Sequence, residues 1–157
     1  PTNLILIDGE GSPREVANGL SFPNGMVITP DQKMLVVAES FGAQLTAFSI
    51  EADGSLSNQR LWAKIPGSSP DGICLDLDGG IWVASPATGT CFRVQEGGQI
   101  TDEFRPIDPP YACMLGGSEG RTLYILTAPS GVPSVCAENP RASIVSVDVS
   151  FPGAGLP

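Results

Sequence analysis

Apolar positions along this chain come in short runs, each closed off by turn-forming residues. Leu4-Ile5-Leu6-Ile7, Met34-Leu35-Val36-Val37-Ala38, Ile81-Trp82-Val83-Ala84 and Leu123-Tyr124-Ile125-Leu126 are the clearest. Between them Gly, Pro, Asp and Asn recur at spacings of about 8–12 residues, the mark of sequential antiparallel strands. The runs are rich in β-branched and aromatic side chains, which suit a pleated, half-buried surface. Helical periodicity is nowhere sustained, so the pattern predicts an all-β chain.

The runs also repeat in a fixed order. One unit contains Pro23-Asn24-Gly25, then Met34–Glu39, Leu45–Ile50 and Asp53-Gly54-Ser55-Leu56. A second contains Pro70-Asp71-Gly72, then Ile81–Ala84, Cys91–Val94 and Glu96–Ile100. A looser third contains Tyr111–Gly117, then Thr122–Ala128 and Ser143–Asp148. Asn24 and Asp71 are 47 residues apart, and Ala112, read as the third equivalent position, follows after 41 more. Units of about 40–50 residues carrying four strands each predict a β-propeller, in which each blade covers its neighbour's apolar face. The expected boundaries are residues 1–20 for the end of a preceding blade, then blades at 21–66, 67–107 and 108–151. A blade at an open edge leaves an apolar face and a row of backbone donors uncovered. Closure is therefore expected to need a second chain, such as another copy in a homodimer, or a missing N-terminal half, and the first residue, Pro1, fits a truncated or cleaved chain.

Composition narrows the chemistry. Eight Lys and Arg stand against 17 Asp and Glu, a net charge of -9, so no basic patch is available for a row of phosphates or an anionic membrane surface. Cations are the better partners. With no histidine in the sequence, Ser-His-Asp and Cys-His nucleophile systems and imidazole metal sites are excluded from this chain. No apolar run approaches the ~18 residues of a membrane helix, and no basic segment precedes a long apolar one at the N-terminus, so a soluble cytoplasmic protein is expected. The four cysteines form no CxxC pair and are expected to be reduced and mostly buried.

Pro23-Asn24-Gly25 with Thr29-Pro30-Asp31, then Pro70-Asp71-Gly72 with Asp76-Leu77-Asp78-Gly79-Gly80-Ile81-Trp82-Val83-Ala84, then Gly116-Gly117 with Thr122-Leu123-Tyr124, resemble the gluconolactonase / senescence marker protein family, which includes regucalcin. The resemblance covers about residues 3–150 and implies the C-terminal half of a six-bladed propeller, about three blades. It also implies one divalent cation in the axial tunnel and hydrolysis of sugar lactones. The family's cation is held by a glutamate of the first blade, the Asn of the PNG motif and the Asp of the PDG motif. Only the last two carry over, to Asn24 and Asp71, with Asp71 also as general base. Glu10, in Gly9-Glu10-Gly11, is a turn residue rather than the missing glutamate.

The residue types agree with that reading. Asn24 and Asp71 each lie between a proline and a glycine at the entry to a unit's first strand, so blade symmetry would turn both toward one axis. An amide oxygen and a carboxylate suit a hard ion, Ca2+ foremost, with Mg2+, Mn2+ or Zn2+ as alternatives. The same two residues before glycine are also common turn formers. Asp31, Asp53, Asp76 and Asp78 are expected to be turn or strand-end acids, Trp82 and Tyr124 blade-packing aromatics at equivalent positions, Cys74 and Cys113 small core residues, and Arg105 and Tyr111 neighbours of the tunnel mouth. Two readings stand: a metal-dependent hydrolase opening a sugar lactone, its site incomplete in this chain, or a non-enzymatic calcium- or protein-binding propeller fragment assembling through open blade edges.

Overall fold

A computed structural model describes residues 1–155 of the 157. The strands fall into four antiparallel sheets in chain order. β1 (Thr2–Ile7) and β2 (Pro13–Leu20) form a two-stranded sheet. β3 (Pro23–Ile28), β4 (Met34–Glu39), β5 (Gln44–Ile50) and β6 (Leu56–Lys64) form a four-stranded one. β7 (Ile73–Leu75), β8 (Ile81–Ser85), β9 (Thr90–Val94) and β10 (Ile100–Phe104) form a second. β11 (Pro110–Gly116), β12 (Thr122–Thr127) and β13 (Ser143–Asp148) form the last. Every sheet is a simple meander, and the whole is a partial β-propeller.

The core is divided among the interfaces between sheets. Leu4, Leu20, Leu35, Val37 and Phe48 fill the first. Val27, Val36, Trp62, Val83, Phe92 and Val94 belong to the second. Cys74, Trp82, Cys91, Cys113, Leu115, Leu123 and Ile125 fill the third. A sheet covered on both faces loses its alternation of buried and exposed residues. β8 and β9, in the sheet with neighbours on both sides, are accordingly buried at every position. β12 alternates instead, burying Leu123 and Ile125 while Tyr124 and Leu126 are about 40% open. Tyr124 is thus at the strand position of Trp82 without sharing its environment, which corrects the expectation that both are packed between blades.

The last sheet has three strands among the described residues rather than the expected four. The chain between β12 and β13 instead carries a short helix, α1 (Pro133–Glu138), which starts on a proline whose missing N–H costs nothing at a helix start. After β13 the chain turns back to β7: Ala154 N–H donates to Leu75 O at 3.0 Å and Leu77 N–H to Pro152 O at 2.9 Å. Among the described residues no helix is long and apolar enough to cross a membrane.

Candidate functional site

The strands β3, β7 and β11 lead their sheets and lie side by side. Two backbone bonds of the same kind link them: Gly25 N–H to Asp71 O and Gly72 N–H to Tyr111 O, each 3.0 Å. The glycines are required by this approach. A Cβ at Gly25 would lie 2.4 Å from Asp71 O, and one at Gly72 would lie 2.7 Å from the Ala112 Cα. These contacts are with backbone, which cannot swing aside, so the Pro-x-Gly repeat records how closely the leading strands meet.

The paired bonds also fix the register. Gly72 stands to Tyr111 as Gly25 stands to Asp71. The residue equivalent to Asp71 in the third unit is therefore Tyr111, not Ala112. The sequence misleads here because the third unit has alanine where the first two have glycine, so the alignment slips by one. Tyr111 brings a phenol to this register, and its ring lies against the loop before α1, where a Cβ at Gly131 would be 3.3 Å from Cε1. Burial raises the Tyr111 phenol above its ordinary range, and the charge of Asp71 adds to the effect.

Asn24 and Asp71 are both half-buried, at the entries to adjacent leading strands. Burial raises the Asp71 carboxyl above the usual carboxylate range, with the neighbouring Asn24 side chain and Gly72 backbone N–H acting in the opposite direction. At neighbouring strand entries, joined by the Gly25 N–H to Asp71 O bond, the two residues offer one amide and one carboxylate, groups of the kind whose oxygens hard cations take. Among the described residues no three His, Cys, Asp or Glu side chains group to hold an ion. Two such oxygen donors would fill part of the shell of a cation that takes six to eight oxygens in all.

Ser40, at the end of β4, touches both units. Its hydroxyl donates to Pro70 O at 2.6 Å and accepts from Asn24 Nδ2 at 3.5 Å. Next to it Glu39 is 97% buried and accepts bonds from the Ser21 N–H, the Gln44 amide and the Thr46 hydroxyl. Neither residue stood out in the sequence, where Glu39-Ser40 reads as the polar end of an apolar strand. Of the other expected neighbours, Glu10 lies in an exposed turn, and Arg105 donates to Thr88 O at 2.9 Å from an exposed position.

A model of the SMP-30/Gluconolactonase/LRE-like region matches residues 1–129. The chain belongs to this family. Regucalcin of Sus scrofa is 27% identical over 140 residues, which are 85% of this chain and 47% of that protein. Regucalcin of Bos taurus is 28% identical over 116 residues, 71% of this chain and 39% of that one. This member thus spans about half the length of the curated relatives it matches. A solved gluconolactonase of Xanthomonas campestris superposes with TM-score 0.68 at 28% identity, over 81% of this chain and 42% of that one. A luciferin-regenerating enzyme superposes with TM-score 0.81 over 98% of this chain and 54% of that one, and at 20% identity it speaks for the fold alone.

Proposed function

We propose that this family member contributes Asn24 and Asp71 to a divalent-cation site, Ca2+ foremost, at which a sugar lactone is hydrolysed. The observation that carries the reading is the placement of these two residues at the entries to neighbouring leading strands, which the Gly25 N–H to Asp71 O bond of 3.0 Å holds side by side. Membership of a family whose solved relatives include a gluconolactonase supports the reaction class. A solved regucalcin of Agrobacterium tumefaciens is described as a calcium-binding protein. Water would complete the ion's shell on this chain, and the rest of the sugar pocket would come from outside it.

When bound, the cation would supply Lewis-acid polarisation of a carbonyl and neutralise negative charge developing on its oxygen. Asn24 would hold its amide oxygen toward the ion. Asp71, its basicity raised by burial, would take a proton from the attacking water as that oxygen bonds to the lactone carbon. The same proton would pass to the ring oxygen as the carbon–oxygen bond of the ring breaks, leaving a hydroxy acid. Tyr111 would border the substrate from the third blade. No histidine is needed, in keeping with a sequence that has none.

Asp71→Ala tests the reading. It is expected to abolish Ca2+ binding measured by calorimetry and to lower gluconolactone hydrolysis by about a hundredfold or more while circular dichroism keeps the β signal. Unchanged binding and turnover would remove the proposal. A second reading has its own support: Ile5, Ile7, Leu126 and Ile144 lie exposed on the outer sheets, as expected of a propeller part that docks on another polypeptide. Calcium binding without hydrolysis in the assembled protein would favour it.

A further inference from the structure

The Ser40 hydroxyl has a single proton, and its geometry says where that proton goes. Pro70 offers a carbonyl oxygen, which cannot donate, at 2.6 Å, so Ser40 must be the donor there. Toward Asn24 the hydroxyl then has only lone pairs left. The end of the Asn24 amide that faces Ser40, at 3.5 Å, must therefore be the NH2 group. An amide carries its oxygen and nitrogen on opposite branches of one plane, so fixing the nitrogen on Ser40 turns Oδ1 away from it. The same hydroxyl holds the peptide immediately before Asp71. Ser40 is 91% buried, which removes most competing water from these bonds.

We infer that Ser40 is a positioning residue: one hydroxyl sets which face of Asn24 is presented to a cation and ties that choice to the backbone carrying Asp71. The inference rests on the cation site proposed above. It differs from a packing role because the effect depends on the direction of a proton. Partners of this type, one bond removed from the ion, are typically worth about 10- to 100-fold in metal affinity.

The test titrates the full chain with calcium chloride, by calorimetry and by the Ca2+-induced rise in melting temperature. In Ser40→Ala the dissociation constant is expected to weaken by about tenfold or more, and the Ca2+-induced rise to shrink accordingly. A purely structural role would lower the melting temperature equally with chelator and with Ca2+, leaving the rise intact. Ser40→Thr, which keeps the hydroxyl, is expected to restore most of the affinity. Ser40→Cys, which fills similar space with a weaker donor and acceptor, should show the same direction of loss if alanine unsettles the fold. If Ser40→Ala binds Ca2+ as the wild type does while Asp71→Ala does not bind, the role assigned to Ser40 is overturned and the site stands. If the wild type itself fails to bind, the site falls and this inference with it.

Discussion

At the residue scale, Glu39 shows how a buried acid remains charged beside the site. Burial pushes its carboxyl upward, but the Ser21 N–H, the Thr46 hydroxyl, the Gln44 amide and the nearby Lys64 charge together bring it below the ordinary glutamate range. A carboxyl whose folded value lies below its unfolded one stabilises the fold above the unfolded value, and that contribution is lost as pH falls through the folded value. Glu39→Gln is therefore expected to cost about 1.5–3 kcal/mol near neutral pH, with the difference from wild type narrowing as pH falls below 4.5, the ordinary glutamate value, and through the lower folded one. Urea unfolding followed across pH checks this, and a difference independent of pH would refute it. The sequence made the Pro-Asn-Gly and Pro-Asp-Gly positions legible because the close approach of backbones at Gly25 and Gly72 admits no side chain. It hid Glu39 and Ser40 because their partners, Ser21, Thr46, Asn24 and Pro70, are brought to them only by folding. It misplaced the third register because Ala112 obscured the glycine signal on which the alignment depended.

At the element scale, the turn between β7 and β8 is organised by a buried charge. Asp76 Oδ1 accepts from the N–H groups of Asp78 and Gly80, at 3.0 and 2.9 Å, closing the turn on itself. Arg93, from β9, meets the same carboxylate at 2.6 and 3.1 Å and reaches Asp78 at 2.9 Å and the Thr101 hydroxyl of β10 at 3.0 Å. Phe151, in the segment after β13, lies 4.4 Å from the guanidinium, a cation–π contact that joins this returning segment to the second blade. Gly80 leaves the guanidinium its space, since a Cβ there would be 2.4 Å from Arg93 Cζ. Arg93→Met is expected to cost about 3–5 kcal/mol because it strands a buried carboxylate. The exposed pair of Arg60 with Glu96 gives the contrast: Arg60→Ala should cost at most about 1 kcal/mol. Equal losses in the two variants under chemical denaturation would refute this account. The central strands β8 and β9 were legible from their apolar runs, and Asp76 and Asp78 as turn acids. The arginine was not, because composition assigns such a residue to the surface and only the fold surrounds it with acceptors. The helix α1 also left no periodic signal, being too short to repeat an apolar face.

At the scale of the whole molecule, the sheets follow one another around an arc with an uncovered face at each end. On the first sheet Ile5 is 54% and Ile7 67% exposed, and on the last Ile144 is 67% exposed beside Leu126. Apolar side chains on outer sheets, next to strand edges with free backbone groups, favour contact with another polypeptide over water. In a longer polypeptide the rest of a ring would cover them, whereas in the isolated chain only a second copy is available. The purified chain is therefore expected to self-associate, sedimenting as a species heavier than its 16.3 kDa over micromolar concentrations. Head-to-tail pairing would bring the first sheet of one copy against the last sheet of the other, so a charge on either face should weaken it. Ile7→Lys and Ile144→Lys, made separately, are expected to shift the equilibrium toward monomer without changing the β signal. A compact monomer at every concentration in the wild type would mean that the end faces are stable in water, and would remove the physical reason for expecting a second chain.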